Sequence, residues 1–145
     1  MRTVKKVKER LLSIAPDVFD HTPVLFSYLF GSYATGLVHP FSDLDIGIYI
    51  ENDYCERTLT LEMSLAIEID EKLALGISAD VRVINNLPLI IAGKIATEGL
   101  IIYSKDEVAR VDFETSIRPK YFDFLPVIRE YNIAYMERIT SISKT

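Results

Sequence analysis

At 145 residues the chain is long enough to bury one hydrophobic core, and its 49 % apolar and 26 % charged composition is that of a globular domain. A net charge of −5, from 16 basic and 21 acidic side chains, argues against direct nucleic-acid binding, which relies on Lys and Arg to neutralise phosphates. The lone Cys55 excludes an intrachain disulfide, the N-terminus lacks the apolar core of a secretory signal, and no apolar run approaches the ~20 residues of a membrane helix, so a soluble cytoplasmic protein without a membrane partner is expected.

Val4, Val7, Leu11 and Ile14 recur at helical spacing with Lys5, Lys8 and Arg10 between them, which predicts an amphipathic helix over 3–15 closed by Pro16. Lys5, Lys6 and Lys8 read as its solvated face, with contact to phosphate as the alternative. Val24 to Phe30 is β-branched and aromatic and predicts a buried strand. Gly31 breaks it, and a short helical turn is expected from Ser32 to near Gly36. Glycine lets backbone approach a ligand closely, and a helix starting at Ser32 aims free N–H groups at an anion. Phosphate is therefore one use for Gly31 and Ser32; a plain strand-to-helix turn capped by Ser32 is the other.

A polar loop through His39 leads to a second strand, Leu44 to Ile50. Its alternation puts Leu44, Ile46, Ile48 and Ile50 on one face and Asp43, Asp45, Gly47 and Tyr49 on the other. The first face should pack under helices and the second should be open. Asp43 and Asp45, at i and i+2, stand on one face about 7 Å apart at the backbone, and two like charges heading an apolar strand repel unless a cation lies between them. Magnesium takes one or two carboxylates plus phosphate oxygens, and two such ions suit an in-line displacement at phosphorus.

Residues 55–75 predict a long helix with two apolar stripes, Leu59/Met63/Ala66 and Leu61/Leu65/Ile69/Leu73, stopped by Gly76. Ala79 to Ile84 is a third strand. If that strand neighbours the second, its Asp80 can complete a metal site or act as a general base; the alternative is a strand-start aspartate paired with Arg82 on the same face. Asn86 is a candidate cap, with Pro88 in the first turn, for a helix over 87–98. Leu100 to Tyr103 is a fourth strand, and Ser104 with Glu107 matches a capping box. Pro119 and Pro126 interrupt an aromatic, mostly helical region reaching about residue 141, whose Phe113, Tyr121, Phe122, Phe124, Tyr131 and Tyr135 serve the core or a partner surface. His21 and His39 read as surface residues. The fold class is α/β (α+β), one domain over 1–145, with a core at about 20–104 and a helical region at about 105–141.

Residues 30–50, FGSYATGLVHPFSDLDIGIYI, resemble the signature of the polymerase-β-type nucleotidyltransferases: Gly-Ser, ten residues, then Asp-x-Asp. ADVRVIN (79–85) looks like the strand carrying their third carboxylate. Small size, the SDLDI form and RPKYFDFLPVIREY (118–131) make the chain similar to the minimal nucleotidyltransferases, especially the MntA-like antitoxins of HEPN–MNT toxin–antitoxin pairs. The resemblance implies a mixed sheet of about four strands flanked by helices, ATP and Mg²⁺ as cosubstrate and cofactor, and AMP transfer to a tyrosine of a partner HEPN ribonuclease, silencing it. By position, Gly31 and Ser32 hold the triphosphate, and Asp43, Asp45 and Asp80 bind metal and support catalysis. Many relatives carry Arg or Lys where this chain has Thr35, a departure that bears on triphosphate binding. So short a chain is expected to need a protein-borne acceptor. Two alternatives remain: an antitoxin that neutralises by binding alone, and an enzyme acting on a small molecule such as an aminoglycoside.

Overall fold

Apolar spacing at helical and strand periods becomes, in the computed structural model, the order α1 (Val4–Phe19), β1 (Val24–Phe30), α2 (Ser32–Thr35), β2 (Leu44–Ile50), α3 (Thr58–Leu73), β3 (Ala79–Val83), α4 (Leu89–Glu98), β4 (Leu100–Ser104) and α5 (Glu107–Ser143). Residues 4–38, 42–52 and 58–143 are described. His39, Cys55 and the expected start of the long helix at 55 lie outside them. The strands form a mixed four-stranded sheet in the order β3-β2-β1-β4, β1 antiparallel to both β2 and β4, and β3 parallel to β2. This is the mixed sheet flanked by helices that the resemblance implies. No helix among the described residues is long and apolar enough to cross a membrane.

One face of the sheet carries Leu29, Leu44, Ile46, Ile48 and Ile50 into a core closed by Val7, Leu11 and Phe19 of α1 and by Leu65, Ile69 and Leu73 of α3. Only one of the two stripes expected on α3 is buried: Leu59 and Met63 are exposed. α3 also protects the sheet edge. Asp70 accepts a bond from Ala79 N–H at 2.8 Å and Glu62 one from Val83 N–H at 3.1 Å, occupying donors that an edge strand would otherwise leave open to another chain.

The opposite face, expected to be open, is open only at one end. Phe26, Tyr28 and Ile84 pack there against Ala92, Ile95 and Ala96 of α4 and Phe113 of α5. Phe26 stacks on Tyr49 with ring centroids 4.7 Å apart, and Phe113 covers the pair. Tyr49 therefore serves as core. α5 is fastened by a buried polar network: Tyr28 OH donates to Glu114 Oε1 at 2.6 Å, Arg110 donates to Glu114 Oε2 at 3.0 Å, and Arg118 reaches the Ala96 carbonyl of α4 at 2.8 Å.

Helix boundaries correct several expectations. Pro16 lies inside α1, not at its end. It sits in the last turns, where its missing N–H frees only the Leu12 carbonyl on the solvent side, while Val18 and Phe19 beyond it are buried. Pro119 and Pro126 likewise lie within one continuous 37-residue helix, both on exposed positions. Asn86 does not cap α4; Pro88 occupies that place without a side-chain bond. Asp106, not Ser104, accepts the Ala109 N–H at the start of α5, and Ser104 bonds the Glu107 carboxylate instead. α3 ends at Leu73 because Ala74 turns left-handed, at φ 51°, two residues before Gly76.

α4 and α5 meet where Gly93 lies under Tyr121, and a Cβ added at Gly93 would overlap the tyrosine ring. Gly93→Ala should destabilise the fold by about 1–3 kcal/mol through overpacking, outweighing the ~1 kcal/mol that alanine gains in a helix, as read by urea unfolding. Tyr103, buried and donating to Asp20 at 2.8 Å, is pushed up to about 12, first by desolvation and then by that carboxylate. An unfolded tyrosine ionises near pH 10, so between about 10 and about 12 the unfolded chain releases a proton that the fold keeps, and stability falls as pH rises. Tyr103→Phe should flatten that fall in urea melts taken across this window.

Candidate active site

β1 delivers the chain to Gly31, which takes φ 71° and ψ −151°. An L side chain rarely adopts this backbone, and a Cβ here would overlap Asp45 Oδ2. Gly31 is thus required twice: to make the turn, and to let it pass directly against the Asp45 carboxylate. α2 is a single turn. Its Ala34 and Thr35 N–H groups both bond the Gly31 carbonyl at 3.1 Å, and Gly36, left-handed at φ 84°, closes it by donating to Ser32 O at 2.8 Å. Only N–H groups ahead of Ala34 therefore remain for a ligand. Gly31 stands at the cap position and Ser32 is the first helical residue. Tyr33, buried in the α1 and α3 core, anchors the turn.

β2 runs between β1 and β3, and its register sets the site. Asp45 lies opposite Phe30 on β1 and opposite Asp80 on β3. Paired residues on neighbouring strands share a face, so Asp45 and Asp80 stand side by side, with Asp43 two residues before Asp45 on the same face. Asp43 is exposed and Asp45 half-buried. Arg82, facing the same way from β3, donates to Asp80 Oδ2 at 3.3 Å, so Asp80 both joins the acidic row and forms the ion pair that its sequence position allows. Burial raises the Asp45 pKa, the charges of Asp80 and Asp43 raise it further, and Arg82 partly opposes them.

Among the described residues no three His, Cys, Asp or Glu side chains close around a single point as a ready metal cage. The carboxylates form an open row. That suits magnesium, which takes one or two carboxylates and leaves its other positions to water and phosphate. Mutual repulsion within the row is the feature a cation would relieve.

Two hollows flank the row. A cleft of about 530 Å³ lies between the Gly31–Ser32 turn and α4, with Phe30 and Thr35 on one wall and Ile90, Ile91, Lys94 and Glu98 on the other. A groove of about 480 Å³ runs along β3 and α3 past Asp80, Arg82, Glu62 and Met63. Thr35, which stands where a basic residue was expected by resemblance, turns its hydroxyl back to Gly31 O and Ser32 O at 3.3 and 3.4 Å. His21 is exposed just before the start of β1, the far end of that strand from Gly31. Sequence reasoning passes over Lys94 and its neighbours. The available signal is that positions 90, 91, 94 and 98 share one side of α4 while 92, 93, 95 and 96 are buried.

Residues 14–108 match the family model described as polymerase beta, nucleotidyltransferase. No curated protein sequence matches significantly. Among solved structures, a chain of the toxin–antitoxin MntA–HpeT in a mutant form aligns at 16 % identity and TM-score 0.58, over 92 % of this chain and 98 % of that one. A chain of a toxin–antitoxin with AMP-PNP aligns at 16 % and 0.53, over 92 % and 98 %. A chain from a tri-AMPylated Shewanella oneidensis HEPN toxin in complex with MNT antitoxin aligns at 16 % and 0.51, over 89 % and 98 %. At such identity these structures speak for the fold.

The raised pKa of Asp45 has a consequence for the metal-free protein. The fold binds this proton more tightly than the unfolded chain, whose aspartates ionise near pH 4, so stability is lost as pH climbs from there through the folded value. At neutral pH an ionised Asp45 is a net cost. Asp45→Asn should raise the melting temperature in a chelating buffer; an unchanged or lowered value would show that the carboxylates do not repel as their placement requires.

Proposed function

The chain belongs to the polymerase-β nucleotidyltransferase family, and we propose that it is an antitoxin that transfers AMP from ATP to a tyrosine of a HEPN ribonuclease toxin in the cytoplasm, residues 1–145 working as one nucleotidyltransferase domain. The observation that carries this reading is the pairing of Asp45 with Asp80, with Asp43 alongside, against a glycine turn that leaves no side chain between backbone and carboxylate. The similar folds include one crystallised with AMP-PNP and one in complex with a tri-AMPylated HEPN toxin, which favours ATP as the donor and a protein as the acceptor.

In this reading Asp43, Asp45 and Asp80 hold Mg²⁺, which when bound supplies positive charge to the phosphates and lowers the pKa of an attacking hydroxyl. The Gly31–Ser32 turn seats the triphosphate. The phenolic oxygen of the acceptor attacks the α-phosphorus, a new P–O bond forms as the bond to the β-phosphate oxygen breaks, and pyrophosphate leaves. Asp80, on the side of the row away from Gly31, receives the phenolic proton. It is partly exposed along the β3–α3 groove, the side from which an acceptor can approach.

α5 supplies a surface for the toxin. Beyond Tyr121 it leaves Phe122, Val127, Tyr131, Ile133, Tyr135 and Met136 exposed, and aromatic and methionine side chains are enriched in the buried centres of protein interfaces. The same feature, with the missing cation at Thr35, favours a second reading in which binding alone neutralises the toxin.

Intact masses of this chain and a HEPN partner, co-expressed and treated with ATP and Mg²⁺, separate these readings. The expected result is AMP on the partner, falling by about 10²–10³-fold in initial rate with Asp45→Ala while the complex persists. A stable complex with no adduct would assign neutralisation to binding.

A further inference from the structure

We propose that Lys94 is the residue that grips the triphosphate, reaching across the cleft from α4 toward the Gly31–Ser32 turn; the proposal rests on the nucleotide reading given above. The cleft, about 530 Å³, is of the size that small-molecule sites occupy. Its surroundings are strongly acidic. Asp45 lies directly against Gly31, Asp43 and Asp80 stand beside it, and Glu98 lines the cleft itself. A triphosphate carries about four negative charges near neutral pH, so a bare cleft of this kind would repel it. Among the described residues, Lys94 is the single cationic side chain that lines it.

Three features aim Lys94 at that task. First, its helix is fixed. Ala92, Ile95 and Ala96 are buried against the sheet and Gly93 is seated under Tyr121, so the exposed side of α4, with Ile90, Ile91 and Lys94, is held facing the turn. Second, Lys94 is uncommitted. Among the described residues it makes no ion pair, although Glu98 stands four positions on, where helical Lys–Glu partners commonly meet. Its three ammonium donors are free for phosphate oxygens. Third, the near wall offers no substitute. Thr35 spends its hydroxyl on Gly31 and Ser32 carbonyls. Ile90 and Ile91, both partly exposed beside Lys94, give the cleft an apolar stretch against which a ribose or base can lie while the lysine holds the phosphates.

Calorimetric titration of the full chain in Mg²⁺ with ATP, AMP and adenosine tests this without reference to turnover. Lys94→Ala should weaken ATP by about tenfold or more, leave adenosine within about twofold, and flatten the salt dependence of ATP binding, while Lys94→Arg should restore most of the affinity. Lys94 is exposed, so circular dichroism should be unchanged in both variants. If wild-type protein binds ATP and Lys94→Ala binds it equally well, Lys94 is a solvated surface lysine and the proposal fails alone. An equal loss for ATP and adenosine would make it a wall of the cleft and not a phosphate ligand, and also overturns it. Wild-type protein that binds no ATP would overturn the nucleotide reading and this proposal together.

Discussion

The register of β2 is the constraint on which the rest of the molecule depends. This strand lies between β1 and β3 and has opposite duties on its two faces. Leu44, Ile46, Ile48 and Ile50 are fully buried beneath α1 and α3, while Asp43 and Asp45 stand on the other side. A slip of one residue would drive carboxylates into that core and expose the isoleucines, so the alternative register is heavily disfavoured. Both ends of the strand are pinned as well. Leu44 N–H bonds Ser78 O at 2.9 Å at the start, and the Asn85 side chain bonds both N–H and C=O of Ile50 at the finish. Burial of one face thereby fixes the position of charge on the other.

The aspartate face divides at Gly47. A Cβ there would press on Ile84 Cγ2, which belongs to the cluster beneath α4 and α5. Toward Tyr49 the face is aromatic and covered; toward Asp45 it is bare and acidic. The cover is what shapes the cleft, because α4 lies where it does through Gly93 against Tyr121 and through Arg118 on the Ala96 carbonyl. Glu114 ties that assembly to the sheet: a buried carboxylate with Tyr28 and two arginines as partners is well supported, and it would be costly with any one removed. Structural polar groups and candidate catalytic ones thus occupy the same sheet face, separated by the width of a few residues.

That separation has an electrostatic sense. Glu114 is buried and compensated, so it contributes to holding the fold. Asp45 and Asp80 are partly buried beside the exposed Asp43, with Arg82 as the cation among the described residues that opposes them, so the crowded charge weighs on Asp45 until an external cation arrives. Stability given up at such a row is characteristic of a place where charge is held ready for a ligand. Residual negative charge in the neighbouring cleft then makes the position of each nearby lysine consequential.

The order of strands and helices, the glycine break after Phe30 and the shared face of Asp43 and Asp45 were all legible in the sequence, because each follows from local periodicity or from one residue's backbone freedom. Family membership was legible for the same reason: Gly31, Ser32, Asp43 and Asp45 lie close together along the chain. What the sequence left open was every feature that depends on which surfaces meet. Asn86, Ser104 and the prolines were misplaced by local rules because capping geometry and tertiary burial overrode them. Leu59 and Met63 carried the same helical spacing as core residues, yet they stay exposed along the groove between α3 and β3. Asp80 was a candidate from its place at the start of the third strand and by resemblance, but only the parallel pairing of β3 with β2 set it beside Asp45. Lys94 carried only the helical spacing that it shares with Ile90, Ile91 and Glu98; it is 62 positions from Ser32 in the chain and reaches the same cleft because α4 packs across the sheet. Local sequence determines which groups a strand or turn presents; the packing of distant elements decides which of those groups share a site.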